Sequence, residues 1–371
     1  MDLEFAAPCL FGLESLVSKE LKALGAENVA AENGRVRFAG DEYVLARANL
    51  GVRYAERIFV VLGSFTAHTF EELFQGVRAL PLENWIGRYD AFPVAGHTLN
   101  SDLFSVRDCQ SIIKKAAVER LKEKYGISWF EETGARRQLR FSILKNRVDL
   151  YLDTSGEPLY KRGYRTEANE APIRETLAAA MCTLSHLRGY HTLYDPMCGS
   201  GTILIEGAML AQNIAPGLRR RFAAERFEQI PETVWKEERA RALAEIRPAP
   251  DFAAFGSDID GAALEIAREN ARRAGVSEVL RLSHADVRDF APATQHGTVV
   301  TNPPYGERMQ TKREAAELVR TLGRVFPQRH GFSYSVISPE PDFEALFGRR
   351  ADKSRKLYNG MLKCRLYMYY K

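Results

Sequence analysis

The chain has 371 residues, 45% of them hydrophobic and 27% charged, a balance that excludes an extended disordered polypeptide and leaves room for two or three folded domains. A net charge of +4 is too small to mark a nucleic-acid binder by itself, and no run approaches the roughly 20 apolar residues of a membrane span. The first residues carry acids, Asp2 and Glu4, where a secretory leader needs positive charge, so a cytoplasmic protein is expected. Five cysteines, Cys9, Cys109, Cys182, Cys198 and Cys364, are scattered without C-x-x-C spacing, and neither a disulfide set nor a metal site is expected.

Residues 1–63 read as a small α+β unit. Leu13, Leu16, Val17, Leu21 and Leu24 fall at helical spacing and Gly25 follows as a stop. Residues 34–38 alternate as a strand, 41–50 suit a second helix, and 52–62 run toward another strand. Nothing in this unit carries catalytic chemistry.

Residues 64–160 form a second α+β pattern. Phe70, Leu73, Phe74 and Val77 predict a short helix, 92–95 a strand, and 109–125 a long amphipathic helix. Residues 139–144 and 147–152 predict a hairpin across Lys145-Asn146. Between Ser101 and Arg165 there are 14 Lys/Arg against 9 Asp/Glu, an excess of five that exceeds that of the whole chain. This is the better place for a phosphate-facing surface, although the same counts describe a solvated helix face.

A basic connector, residues 160–165, leads into the third unit, 161–371. Pro172 suits the first turn of a helix whose apolar face is Ile173, Leu177, Ala180, Met181, Leu184 and Leu187, with Gly189 as its stop. Then comes Asp195-Pro196-Met197-Cys198-Gly199-Ser200-Gly201-Thr202, between a strand at 192–194 and a helix-like run at 203–215. Gly199 and Gly201 allow positive φ and close approach of a ligand, as in a nucleotide-type cofactor loop. A dinucleotide fingerprint is opposed by Leu204 at its third glycine position and by the basic run Arg219-Arg220-Arg221 beyond the helix; a P-loop is opposed by the lack of Lys-Ser/Thr. Strands are predicted at 253–257, 279–282, 298–301 and 333–338, and the alternation with helices predicts a doubly wound parallel sheet. Residues 212–250 read as an inserted, solvated helical flap that could also offer Arg219, Arg220, Arg221 and Arg226 to RNA. At the end, the Asn359-Gly360 pair predicts a tight antiparallel hairpin.

The stretch DPMCGSGT, an acidic strand end at Asp258, and TNPPYGERM appear in the order such a sheet demands. Together they resemble an S-adenosyl-L-methionine-dependent amino-methyltransferase. More closely, the chain is similar to bacterial THUMP-domain RNA methyltransferases related to the K/L-type large-subunit rRNA guanine-N2 enzymes, a likeness that runs from about Tyr160 to Lys371 and includes APIRETLAAAM, AQNIAPGLRRRF and RKLYNG. The resemblance implies an α/β protein with a C-terminal doubly wound Rossmann-like methyltransferase sheet and a terminal antiparallel hairpin, preceded by α+β ferredoxin-like and THUMP domains.

The roles it implies are these. Residues 195–202 form the backbone floor for S-adenosyl-L-methionine. Asp258, beside Ile259, accepts from the ribose hydroxyls, a role open also to Asp260 unless that residue caps a helix. Asp286 and Val287 receive the adenine, and His284 is a packing or capping residue. Asn302 and Pro303 accept hydrogen bonds from a planar exocyclic amine, Pro304 helps fix their backbone, and Tyr305 stacks on a flipped base. Neither a metal nor a covalent nucleophile is required, and Cys198 is not placed to attack a base. Lys114, Lys115, Arg136, Arg137, Arg140, Arg147, Arg219 and Arg220 are the implied RNA contacts, with large-subunit rRNA the implied partner. The rival readings are an adenine-N6 methyltransferase on RNA or DNA, a non-catalytic cofactor-binding assembly factor and, more distantly, an NAD-linked enzyme.

Overall fold

The computed structural model describes residues 3–165, 173–306 and 312–370. Pro172, Ala171 and the Glu307, Arg308 and Met309 of the second motif lie outside the described residues. Two seven-stranded sheets organise the chain.

The first sheet holds β1 Leu3–Pro8, β2 Glu27–Glu32, β3 Arg35–Gly40, β4 Phe59–Thr66, β5 Val94–Leu99, β6 Leu139–Leu144 and β7 Arg147–Asp153. Its order is β2-β3-β1-β4-β7-β6-β5, antiparallel throughout except for β5 beside β6. Four helices accompany it: α1 Glu14–Ala23, α2 Glu42–Gly51, α3 Phe70–Arg78 and α4 Val106–Tyr125. Their ends follow local chemistry. Asp41 caps α2 by accepting from the Val44 amide, Thr69 and Glu72 form a capping box on α3, and Gly126 stops α4 at φ +62°. Lys145 and Asn146 both take positive φ, so the β6–β7 hairpin turns where expected. Two strands, β1 and β2, were not expected. β2 is an edge strand with no buried residue, and so shows no inward-facing stripe in the sequence. The expected boundary near residue 63 falls inside β4, which pairs with β1 on one side and β7 on the other.

The second sheet holds β8 Thr192–Asp195, β9 Ala253–Asp258, β10 Leu280–His284, β11 Gly297–Thr301, β12 Phe332–Ser338, β13 Lys353–Asn359 and β14 Leu362–Tyr369. Its order is β10-β9-β8-β11-β12-β14-β13, parallel from β10 to β12 and closed by an antiparallel hairpin. The helices are α5 Glu175–Leu184, α6 Thr202–Ala211, α7 Glu232–Ala244, α8 Gly261–Ala274, α9 Lys312–Val325 and α10 Phe343–Phe347. β11 is buried at all five positions, as a parallel strand covered on both faces must be.

Four local expectations change. α5 ends at Leu184 and His186 turns the chain at φ +57°, short of Leu187 and Gly189; α6 ends at Ala211, with Asn213 at φ +54°. The final turn is centred on Gly360-Met361, because Asn359 still pairs with Leu362; only Gly360 needs positive φ, and Met361 is fully exposed. The 212–250 segment is a clamp rather than a flap. Trp235 stacks on Phe222 with centroids 5.4 Å apart, and Glu238 of α7 is buried against Arg47 of α2 through two hydrogen bonds of 2.6 and 3.0 Å. This ties the third unit to the first. A second tie lies at Gly12, whose carbonyl accepts from Arg355 at 3.1 Å; a Cβ on Gly12 would stand 2.9 Å from the Lys356 carbonyl oxygen.

Candidate active site

The sheet order reverses between β8 and β11, and the carboxyl ends of strands at such a switch form a crevice. Asp195 ends β8, Asp258 ends β9, and Asn302 directly follows β11. The cradle between them is built from backbone. The Cys198 amide donates to the Ser257 carbonyl at 3.0 Å, and the Gly199 amide donates to Asp258 Oδ2 at 2.7 Å. Gly199 and Gly201 sit at φ +50° and +79°. A Cβ on Gly199 would meet open space, which marks the face a ligand can approach, whereas one on Gly201 would crowd Ala267 at 3.0 Å. From behind, the buried Asn270 side chain donates to the Ser200 carbonyl at 3.1 Å.

The two carboxylates differ in setting. Asp195 is buried, accepts from Thr301 Oγ1 at 2.7 Å and from the Met197 amide at 3.3 Å, and burial lifts its carboxyl to about 7, with Asp258 adding in the same direction. Its described bonds hold β8, the loop and β11 together. Asp258 is half-buried and among the described residues receives just the Gly199 and Asp260 amides, leaving acceptor capacity beside Ile259, which is 67% exposed. Asp260 caps α8 by accepting from the Ala262 amide at 2.9 Å. His284 bonds the Ile259 carbonyl at 2.8 Å, a strand-end contact. Asp286 accepts from the Arg288 amide and guanidinium at 2.8 and 2.6 Å, and the Arg288 side chain holds its carboxyl below the usual range; Val287 is buried beside it. Burial pushes the Cys198 thiol well up, as for an inert packing cysteine.

In the last motif Asn302 Oδ1 accepts from the Tyr305 hydroxyl, and Asn359 Nδ2 reaches that hydroxyl from the end of β13 at 3.5 Å. Pro303 is buried and Pro304 half-buried. Three contributors went unassigned in the sequence: Thr301, Asn359 and Arg165, whose guanidinium donates to Thr202 Oγ1 and faces the buried Glu175 at 3.5 Å. Asn359 stands in the RKLYNG stretch and Arg165 in the basic connector, but neither position has a spacing that names its partner.

The expected RNA contacts divide. Lys115, Arg136, Arg147 and Arg219 are exposed. Lys114 lies over the Phe92 ring and pairs with Glu132, and Arg140 faces Asp153 at 3.6 Å. Two assignments are corrected. Arg137 is 2% exposed, paired with Asp90 at 2.8 Å and stacked 4.1 Å from the Phe227 centroid, so no phosphate reaches it. Arg220 spends its guanidinium on the carbonyls of Ser155, Glu157, Pro158 and Lys161, pinning the connector.

A parallel sheet with a terminal antiparallel hairpin, and a glycine loop and acidic strand end at its switch point, define a class I methyltransferase. Family models match the chain over residues 162–368 (RMKL-like, methyltransferase domain), 4–59 (RlmL ferredoxin-like domain) and 67–153 (THUMP domain). The chain is 41% identical to the putative RNA methyltransferase YpsC of Bacillus subtilis, covering 97% of this chain and 94% of that one. It is 35% identical to the ribosomal RNA large subunit methyltransferase K/L of Psychromonas ingrahamii, covering 99% of this chain but only 50% of that longer protein. A crystal structure of SMU.472, a putative methyltransferase complexed with SAH, superposes with a TM-score of 0.93 at 40% identity over 100% of this chain and 98% of that one. The chain belongs to the RMKL-like methyltransferase family, and its cofactor is S-adenosyl-L-methionine.

Proposed function

We propose that the protein methylates the exocyclic N2 of a guanine in RNA, with large-subunit rRNA as the substrate. The observation that carries this reading is the meeting of Asp258, the 195–202 loop and Asn302-Pro303-Pro304-Tyr305 along the carboxyl edges of three adjacent strands, β9, β8 and β11. The RNA substrate rests on the names of the two curated relatives and on the THUMP match. Residues 1–63 and 64–160 act as the RNA-presenting part and 161–371 as the catalytic part.

Bound in the cradle, S-adenosyl-L-methionine supplies an electrophilic methyl group. Residues 195–202 hold it, with Asp258 and Ile259 at the ribose end and Asp286 and Val287 at the adenine end; the open face at Gly199 and the lone pairs of Asp258 fit that assignment. A guanine amine is a poor nucleophile because its lone pair is conjugated with the ring. Asn302 Oδ1 and the Pro303 carbonyl accept hydrogen bonds from its two N–H groups, hold the nitrogen still and favour pyramidal geometry, and the proton that the nitrogen loses on methylation leaves to solvent. The Tyr305 hydroxyl occupies Asn302 Oδ1 before the base arrives, so base entry exchanges one donor for another and leaves the ring available for stacking. Lys115, Arg136 and Arg219 are exposed cations available to RNA phosphates, and Arg147 is exposed but shared with Asp149 at 3.4 Å.

The test is methyl transfer from labelled cofactor to unmodified rRNA, tRNA and DNA, followed by nucleoside analysis. N2-methylguanosine in large-subunit rRNA, absent with Asn302→Ala, is expected. N6-methyladenine would replace the base assignment, since the same two acceptors grip that amine, and cofactor binding without transfer would replace the activity.

A further inference from the structure

Away from the crevice, α5 and α6 both finish at the opposite edge of the second sheet, beside the start of β13 and the end of β14. α1 of the N-terminal half closes the remaining side, leaving a cleft of about 440 Å³. Lys19, His186, Arg188, Lys353 and Arg355 line it, and among the described residues no carboxylate does. Among the described residues, Lys19, Arg188 and Lys353 make no ion pair, and Arg355 bonds only neutral acceptors, the Gly12 carbonyl at 3.1 Å and Ser15 Oγ at 3.3 Å.

Several surface arginines behave differently, although others, Arg107 and Arg281 among them, are exposed and unpaired among the described residues. On α8, Arg268, Arg272 and Arg273 each pair with Glu265 or Glu269, and on α9 Arg320 and Arg324 pair with Glu317. The carbonyl ends of α5 and α6 each contribute about half a negative charge. Against the four permanent cations this leaves an excess of roughly three positive charges around one cleft. One guanidinium is fixed by neutral partners while three long side chains are free to converge. That combination of a fixed donor fork and mobile cationic heads suits a tetrahedral oxyanion of high charge density.

We propose that this cleft is a phosphate-binding site, separate from the cofactor crevice. Its occupant is either a backbone phosphate of the RNA substrate passing the rear edge of the sheet or a free polyphosphate anion of similar size. Only the first source rests on the RNA reading above.

The test uses the full chain and the double variant Arg188→Glu/Lys353→Glu; both residues are exposed and neither belongs to the catalytic machinery. Thermal melting and S-adenosylhomocysteine binding, both expected to be unchanged, confirm that the variant folds. Pyrophosphate is titrated calorimetrically, and RNA binding is measured across a salt series. Pyrophosphate binding to the natural chain, weakened at least tenfold in the variant and restored in Arg188→Lys/Lys353→Arg, is expected. If RNA is the source, the log–log salt slope also falls by about 0.7 for each phosphate that is no longer neutralised, and pyrophosphate competes with RNA. A free anion gives the pyrophosphate loss with no change of slope. Equal pyrophosphate behaviour and equal slopes in the two proteins would overturn the proposal, and the pyrophosphate arm reads independently of any methyl transfer.

Discussion

The two sheets have seven strands each and handle charge in opposite ways. In the first, carboxylates and guanidiniums neutralise one another across strands. Asp149 lies within 2.9 to 3.4 Å of Arg35, Arg37 and Arg147, and Asp153 is fully buried against Arg57 at 2.5 Å with Arg140 at 3.6 Å. In the second, Asp195 and Asp258 sit at strand ends with hydroxyl and amide donors and, among the described residues, no cation. Paired in place, a carboxylate sets strand positions and presents little to a ligand. Held by amides at a strand end, it keeps acceptor capacity for one.

Asp153→Ala should produce the largest change. It leaves Arg57 and Arg140 without their buried partner, at a cost of about 3–5 kcal/mol; chemical denaturation should show that loss while cofactor affinity stays within twofold. Asn302→Ala should do the reverse, lowering single-turnover methyl transfer by on the order of a hundredfold with an unchanged melting temperature. Asp258→Ala should come next, weakening cofactor binding by about 1.5–3 kcal/mol, the value of hydrogen bonds to a charged acceptor, as read by calorimetry. If it instead destabilises the fold as much as Asp153→Ala does, the contrast between the sheets fails.

The pH response sharpens the same contrast. Asp195 titrates near 7 because it is buried, well above an unfolded aspartate, and buried Glu175 does likewise. The folded form therefore holds protons that the unfolded chain has released. The stability these groups give is complete below about pH 4 and is lost as pH rises toward 7 and just beyond. Asp195→Asn should flatten the fall in denaturation midpoint between pH 5 and pH 8; an unchanged fall would show that Asp195 is not its source. Tyr305→Phe, which frees Asn302 Oδ1 from its internal donor and removes the hydroxyl that Asn359 reaches, should change transfer least, by a few-fold.

Much of this arrangement is local, and so legible in the residues. Gly199 and Gly201 at positive φ, Asp258 at a strand end and the Lys145-Asn146 turn each follow from neighbours a few positions away. What could not be read depends on distant partners. Arg137 meets Asp90 across 47 residues and Arg220 meets the Glu157 carbonyl across 63, so both looked like free surface cations. The clamp at 212–250 was misjudged for the same reason, since Arg47 lies 191 positions from Glu238. Edge strand β2, without a buried face, left no periodicity to find.

The hydrogen bond from Arg355 to the Gly12 carbonyl joins positions 343 residues apart. On a ribosome adding roughly 5–20 residues per second, Gly12 emerges about 20 to 70 s before its partner. During that interval α1 and its loop have no terminal hairpin to rest on. The N-terminal sheet has all its strands by Asp153, so it can form early and wait, while the rear contact closes only when the last strands of the catalytic sheet arrive. Completion of this fold therefore waits for β13 and β14, and a chain stalled before β13 would carry a finished first sheet whose α1 packs on β2 and β3 but lacks its contact with the hairpin.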